Sequence, residues 1–322
     1  YLIARKISND YTARFAALLY LLYPAPYFLA PVLTNQHFAA CMFLLSLYIL
    51  LEKRLNFVIR GISAGIIMSV GNVVRPLGIV ITGAIVIWAA VECIRKKKLI
   101  KAILAMLLLA GYFLTGFGIS SAVKMADINP EGLHNNYPLW KFVVGLNYNT
   151  LGTFSYDDQN KIFIIQDFKK RDDVSKQVIK ERISISKGKL LTLLAKKQKI
   201  MWADFDTLRW GFYKKVDNKL EPTEKVKKYE PAILRIEKMY YILAFLLMLL
   251  GLVISIAGKK LKSGVLLISV ILICYFAAHA LIEIQVRYRY FALMLVFILA
   301  ARGSELLMSG FYEYRKKYGL TN

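Results

Sequence analysis

Eight apolar segments divide this chain, and every second connection between them carries a basic cluster. This pairing constrains the fold more than any other feature. The segments run roughly over 15–33, 37–51, 57–74, 76–94, 99–120, 239–257, 263–282 and 288–301. A soluble domain has no reason to sort its basic loops by parity. A chain that threads a bilayer does, because Lys and Arg stay on the cytoplasmic side. The clusters are Arg5, Lys6 and Arg14; Lys53, Arg54 and Arg60; Arg95 to Lys98 with Lys101; Lys259, Lys260 and Lys262; and Arg302 with Arg315 to Lys317. Between them fall the corner 34–36, the corner Asn72–Pro76, the long region 121–238 and the connection 282–289. Eight crossings with both visible ends cytoplasmic satisfy every cluster. The expected fold is an all-α polytopic membrane protein with about eight transmembrane helices and a largely helical outer domain. Residues 1–120 would form an N-terminal membrane part, 121–238 an extracytoplasmic domain, 239–303 a C-terminal membrane part of three spans, and 304–322 a cytoplasmic tail. The chain begins at Tyr1 rather than Met and reads as a fragment, or as a numbering that omits an N-terminal part.

Hydrophobic residues make up 57% of the chain and its mean hydropathy is +0.46, which suits that fold. The net charge of +23 would suggest nucleic acid in a soluble protein. Here residues 121–238 hold 23 basic and 15 acidic side chains, and the rest of the chain holds 21 and 6. The larger surplus therefore sits in short loops between apolar runs, a membrane signature rather than a nucleic-acid face. The three cysteines (Cys41, Cys93 and Cys274) fall in or beside apolar runs and form no CxxC pair. The three histidines (His37, His134 and His279) are far apart, and nothing in their spacing favours a metal site.

Two apolar runs bounded by arginines are short. Twelve residues separate Arg289 from Arg302 and 14 separate Arg60 from Arg75. At about 1.5 Å per helical residue these reach roughly 18 and 21 Å, against a bilayer core of about 30 Å. At least one guanidinium of each pair is then expected below the headgroups, where it needs a watered cavity or an anion. The first segment carries Pro24, Pro26 and Pro31, so its outer half should be kinked or broken. In the outer region, Asn129–Pro130–Glu131–Gly132 reads as a turn. Residues 172–202 have helical spacing (Val174, Val178, Ile179, Ile183, then Leu190, Leu191, Leu194), with Gly188 expected to separate two amphipathic helices.

Four constellations could carry chemistry. Glu283, Gln285, Arg287, Tyr288, Arg289 and Tyr290 sit at the outer mouth of the last two spans. Arginine suits phosphate there, and a solvated loop with interfacial tyrosines is the other reading. Arg75, between Asn72 and Pro76, is either a snorkelling cap or a second anion contact on the same outer side. Thr34-Asn35-Gln36-His37 reads as a capped helix start, and His279 as a hydrogen-bonded core histidine. Trp140, Asn147, Tyr148, Asn149, Asp157 and Asp158 suit sugar faces and hydroxyls, or ordinary packing with a solvated Asp pair. Trp202, Asp204, Asp206 and Trp210 are open in the same way. No GxSxG, P-loop, Rossmann or HExxH pattern occurs.

The Arg75-Pro76 corner, the stretch Trp140…Gly145-Leu146-Asn147…Gly152 and the stretch Ile282-Glu283…Arg287-Tyr288-Arg289-Tyr290 resemble the GT-C superfamily of glycosyltransferases. The likeness is to the bacterial branch related to protein O-mannosyltransferases and lipid A aminoarabinose transferases. It implies transfer of one sugar from a polyprenyl-phosphate carrier to a glycan, lipid or protein acceptor outside a bacterial plasma membrane. Under that resemblance Arg75, Arg287 and Arg289 would bind the carrier phosphate. Trp140, Asn147, Tyr148, Glu283, Gln285 and Tyr288 would contact sugar or acceptor. The catalytic acidic residue would lie before Tyr1. No nucleic acid is implied, and a divalent metal is left open. An acidic residue is common in the family near the corner held here by Asn35 and Gln36, so a donor or metal role there is in question. An envelope polysaccharide polymerase or ligase, and a lipid-linked sugar transporter or flippase, are the alternatives.

Overall fold

A computed structural model describes residues 1–97, 99–203, 209–216, 219–259 and 261–318. Lys98 and Lys260 of the basic clusters lie outside the described residues. Along the chain come α1 (Leu2–Ile7), α2 (Asp10–Leu21), α3 (Ala25–Leu29), α4 (Gln36–Leu51), α5 (Phe57–Val74), α6 (Gly78–Lys96) and α7 (Ile100–Met125). Then follow α8 (Trp140–Gly145), α9 (Tyr156–Phe163), α10 (Phe168–Ile183), α11 (Lys187–Ala203) and α12 (Arg209–Phe212). A hairpin of β1 (Tyr213–Val216) and β2 (Lys219–Pro222) precedes α13 (Glu224–Lys227), α14 (Glu230–Ala257), α15 (Ser263–Leu281) and α16 (Tyr290–Lys317). The hairpin pairs Tyr213 with Pro222, and the rest of the regular structure among the described residues is helical, as the all-α expectation has it.

Six helices among the described residues are long and apolar enough to cross a bilayer: α5, α6, α7, α14, α15 and the stretch Val286–Lys317. The first two expected segments give shorter elements. Segment 15–33 is divided between α2 and α3, because Pro24 and Pro26 cannot continue the hydrogen-bond ladder of α2. The second, α4, has 16 residues, about 24 Å of helix. Six spans, rather than eight, therefore follow from helix length and composition.

The chain falls into two compact units. The first contains Tyr1–Gly116, Phe205–Leu272 and Tyr290–Asn322; the second contains Phe117–Asp204 and Ile273–Arg289. This division cuts the chain differently from the boundaries expected at 121 and 238. Residues 205–238 go with the first unit, and the connection 273–289 goes with the second.

In the first unit α16 is the central helix. Every residue from Tyr290 to Gly303 except Met294 is buried, and α2, α4 and α14 pack on it. Its apolar window is 67% buried, against 28–44% for the other five candidate spans. A helix apolar on all faces belongs inside a bundle. The run between Arg289 and Arg302 is thus enclosed largely by protein. Nor does the helix stop at Arg302. The Arg302 guanidinium is buried, pairs with Glu305 and donates to Ser8 Oγ at 2.9 Å. Glu305 in turn accepts from Ser8 Oγ (2.6 Å), Thr12 Oγ1 (2.7 Å) and Asn9 Nδ2 (2.9 Å). Asn9 also caps α2 through Thr12 N. Hydrogen bonds of Ser8, Asn9 and Thr12 to this ion pair therefore tie the α1–α2 junction to α16.

The second unit has a small core of Val143, Ile162 and Val178, flanked by Tyr137, Trp140, Phe163, Val174 and Ile179. The expected turn forms, with Gly132 N donating to Asn129 O. Ser155 and Asp167 cap α9 and α10. The break between α10 and α11 falls at Ser184–Ser186 rather than at Gly188, which lies in the first turn of α11. Ser186 Oγ accepts from Lys189 N at 3.4 Å, so a serine cap sets that start.

α14 and α16 touch backbone to backbone where Gly251 meets Gly303. A Cβ on Gly303 would overlap the Leu247 carbonyl oxygen, which belongs to a helix backbone and cannot swing aside. Gly303→Leu should cost about 3 kcal/mol, the upper end of ordinary overpacking. Gly310→Leu, where a side chain meets open space, should change little. Thermal unfolding of both variants in detergent checks this.

Candidate functional site

The connection 282–289 is the most chemically dense stretch of the second unit, and the backbone around it is clamped. Glu283 N donates to Lys141 O at 2.7 Å, and Ile284 N donates to Gly152 O at 2.9 Å. Gly145 packs directly on the Leu281–Glu283 backbone, with no room for a Cβ. Lys197 completes the clamp. Its side chain is 0% exposed, and Nζ donates to the carbonyls of Gly145 (2.6 Å), Ala280 (2.7 Å) and Ile282 (2.9 Å). Ala280 lies in the last turn of α15, whose final carbonyls lack helical partners and attract a cation. Burial draws the Lys197 pKa down to about 7. The three carbonyls oppose that pull, since only the ammonium form has three N–H bonds to give.

On this frame Glu283 is 2% exposed. Its carboxylate pairs with Lys141 Nζ and accepts from Gln285 Nε2 at 2.8 Å. Lys141 Nζ also lies 3.5 Å from the Tyr288 hydroxyl and 5.8 Å from the centre of its ring. Desolvation acts to lower the Lys141 pKa, but Tyr288 and Glu283 outweigh it and the net shift is upward. Lys141 therefore remains a cation at neutral pH. Tyr288 O accepts from Tyr275 Oη at 2.5 Å. His279, expected as a core histidine, is buried with Nδ1 at 2.9 Å from Tyr275 O. Arg287 is half-buried. Arg289 is 1% exposed and donates from Nη1 to Met201 O at 3.0 Å, in the last turn of α11. Trp202 stacks on Phe276 with 4.1 Å between ring centres, and its indole N–H donates to Gln198 Oε1.

Glu283, Gln285 and Tyr288 are thus brought together, with Arg287 and Arg289 on the same connection. The other sequence candidates lie elsewhere. Trp140 packs 4.9 Å from Phe163 and 6.3 Å from Phe154, ring centre to ring centre. Asn147 is buried; Nδ2 donates to Asp158 Oδ2 at 2.8 Å and Oδ1 accepts from Asn149 N at 3.0 Å. Tyr148 is half-buried. Asp157 is exposed, as a solvated aspartate should be, but Asp158 is buried in a two-pronged pair with Arg182 at 2.6 and 3.1 Å. Arg75 belongs to the first unit, where Nη1 donates to Asn35 Oδ1 at 3.2 Å. Asn35 also donates to Val74 O at 2.7 Å, so its side chain serves this corner and does not cap α4. Asp204, Asp206 and the side chain of Trp210 lie outside the described residues. Among the described residues no three His, Cys, Asp or Glu side chains are grouped to hold a metal ion.

Two lysines of this frame escaped the sequence reading. Lys141 sits within the Trp140–Tyr148 stretch, where its charge looked like any solvated lysine. Lys197 does carry a signal: it follows Leu190, Leu193 and Leu194 and precedes Met201 at helical spacing, on the apolar face of α11. A lysine there needs internal acceptors.

No family model, curated protein or solved structure matches the chain.

Lys197→Met keeps the length and removes the donors, leaving three inward carbonyls without that partner. At about 1–3 kcal/mol for each buried unsatisfied group, the loss should be about 3 kcal/mol or more. Faster proteolysis within 282–289, with a lowered melting temperature, is the expected result.

Proposed function

We propose that this protein is a membrane glycosyltransferase that moves a sugar from a polyprenyl-phosphate carrier to an acceptor in the cell envelope. The supporting observation is the make-up of the connection between α15 and α16. A buried carboxylate, a phenol and two guanidiniums lie on one clamped segment that joins, along the chain, two helices apolar enough to cross a bilayer, and the ammonium of Lys141 reaches the carboxylate and the phenol from α8. Lys141, Arg287 and Arg289 contribute three positive charges and Glu283 one negative. That excess suits a phosphate whose negative charge grows as the glycosidic bond breaks. Cations fixed in a low-dielectric setting stabilise such charge without reorganising.

The residues divide by accessibility. Arg287 and Lys141 are assigned to the carrier phosphate. Arg289, enclosed and bonded to Met201 O, holds the segment against the end of α11. Glu283 is engaged by Lys141 and Gln285. We assign it the orienting of Lys141, and not the removal of the acceptor proton. Arg75 is assigned to the outer side as well, since the basic loops argue for both visible ends inside; that the membrane is a bacterial plasma membrane is part of the proposal. The isoprenoid tail remains in the lipid, and the sugar is already activated, so no nucleotide site is required.

The test uses membranes carrying the protein, a panel of radiolabelled polyprenyl-phosphate hexoses and pentoses, and envelope fractions as acceptors. Sugar should move to the acceptor fraction. Arg287→Ala should lower turnover by about 100-fold or more, the usual loss for one charge-stabilising donor, with the protein still in the membrane. Undiminished turnover by Arg287→Ala overturns its role. A requirement for diphosphate-linked oligosaccharide points to a polymerase or ligase, and movement of lipid-linked sugar across the bilayer without transfer points to a flippase. Either result overturns the proposal.

A further inference from the structure

A groove of about 1180 Å³ opens on the first unit between α2, α4 and α16. It is larger than the roughly 300–1,000 Å³ usual for small-molecule sites. Leu18, Leu21, Ala40, Leu44, Leu45 and Met294 supply apolar wall. Leu18 and Leu21 are exposed at the rim, where a helix of this composition would meet lipid. From His37 to Tyr48 the α4 wall runs about 16 Å. That is close to half of a bilayer core of about 30 Å, so the groove has the depth of one leaflet's acyl chains.

Tyr1, Tyr48 and Arg14, the last paired with Asp10, also line the groove; at the end near His37 the hydrogen bonds have a direction. His37 Nε2 lies 3.3 Å from Leu29 O, and Nδ1 lies 2.9 Å from the Tyr290 hydroxyl. The Tyr290 hydroxyl lies 3.0 Å from the Tyr20 hydroxyl. A backbone carbonyl can only accept, so Nε2 carries the proton. In the neutral ring Nδ1 then accepts, and Tyr290 donates to it. Having used its one proton, Tyr290 accepts from Tyr20. Tyr20 has likewise spent its proton, and its oxygen keeps only lone pairs. Tyr290 is 6% exposed, whereas Tyr20 is 36% exposed and lines the groove. The chain of bonds therefore ends, at the groove, on an acceptor.

We propose that this groove binds a two-chain lipid alcohol, a diacylglycerol-like molecule whose free hydroxyl donates to Tyr20 while its acyl chains lie along α2, α4 and α16. The acceptor polarity selects a headgroup with a hydroxyl proton over one that offers only oxygen lone pairs. The depth selects acyl chains, and the volume admits two. The site stands within one unit and does not rest on the glycosyl-transfer reading.

The experiment is binding of tritiated dioleoylglycerol to the purified full chain in detergent. Its competitors are unlabelled dioleoylglycerol, the same lipid with its hydroxyl methylated, and dioleoyl phosphatidic acid. The methyl ether should compete about 3–10-fold less well than the alcohol, the worth of one hydrogen bond. Tyr20→Phe, which keeps the ring and should melt at the wild-type temperature, should bind both equally. Leu44→Trp, which fills the apolar wall, should weaken both. Equal competition by alcohol and ether on the wild-type protein overturns the proposal. So does discrimination that persists in Tyr20→Phe, or phosphatidic acid outcompeting the alcohol.

Discussion

Two arginines bound the stretch Tyr290–Ala301 of α16, of which every residue but Met294 is buried. From Tyr290 to Ala301 the side chains of α16 are aromatic or aliphatic, and they pack against α2, α4 and α14. A guanidinium in apolar surroundings costs several kcal/mol unless its N–H groups find acceptors. Arg302 finds them in Ser8 and Glu305, and Arg289 in the carbonyl of Met201. Each bond joins distant parts of the chain within its own unit. The α1–α2 junction is held to α16 by the first, and the end of α11 to the 282–289 connection by the second. The core helix can thus be wholly apolar because its charged boundaries are satisfied by protein rather than by headgroups.

The boundaries also show where the sequence was readable and where it was not. Long apolar runs, the Pro24–Pro26 break and the density of chemistry at 283–289 are local properties, and hydropathy and composition display them directly. The interval between Arg289 and Arg302 displays its length equally well, yet length alone cannot separate a thinned lipid crossing from a core helix. The packing of α2, α4 and α14 on α16 shows the enclosure, and part of it joins residues far apart in the chain, as Ser8 and Arg302 do. Asn147, Asp158 and Arg182 are the same case on a smaller scale. Each reads as a surface polar residue, and together they form a buried, mutually satisfied set. The hairpin at 213–222 had no apolar alternation to announce it, with lysines at 214, 215 and 219.

Enclosed charge and accessible charge are different resources, and the 282–289 connection and the lysines that reach it from α8 and α11 include both. Lys197 and Arg289 are enclosed and bonded to main-chain carbonyls, so their charges hold structure. Lys141 is held by Glu283 on one side while its side chain remains 45% exposed. Arg287 is half-buried. A catalyst that stabilises a departing phosphate needs cations whose positions are already fixed but whose outer faces can still meet the ligand. Clamping the backbone through Lys197, Gly145 and Gly152 holds in place a connection that contains one short 3-10 turn, Val286–Arg289.

Main-chain carbonyls set side-chain chemistry in three places here, by the same logic. Three of them surround Lys197 and favour its charged form. One at Met201 orients Arg289. One at Leu29 fixes the His37 tautomer and, through Tyr290, the polarity that Tyr20 presents to the groove. A carbonyl has no proton to lose and no rotamer to change, so it imposes one direction on whatever donates to it. In a chain with few polar residues among its apolar helices, that makes backbone geometry, rather than side-chain identity alone, the determinant of what each buried polar group can offer a ligand. His37 and His279 illustrate the consequence. Both are histidines bonded to a main-chain carbonyl within the fold, and the carbonyl beside His37 begins a chain of bonds that reaches an open surface.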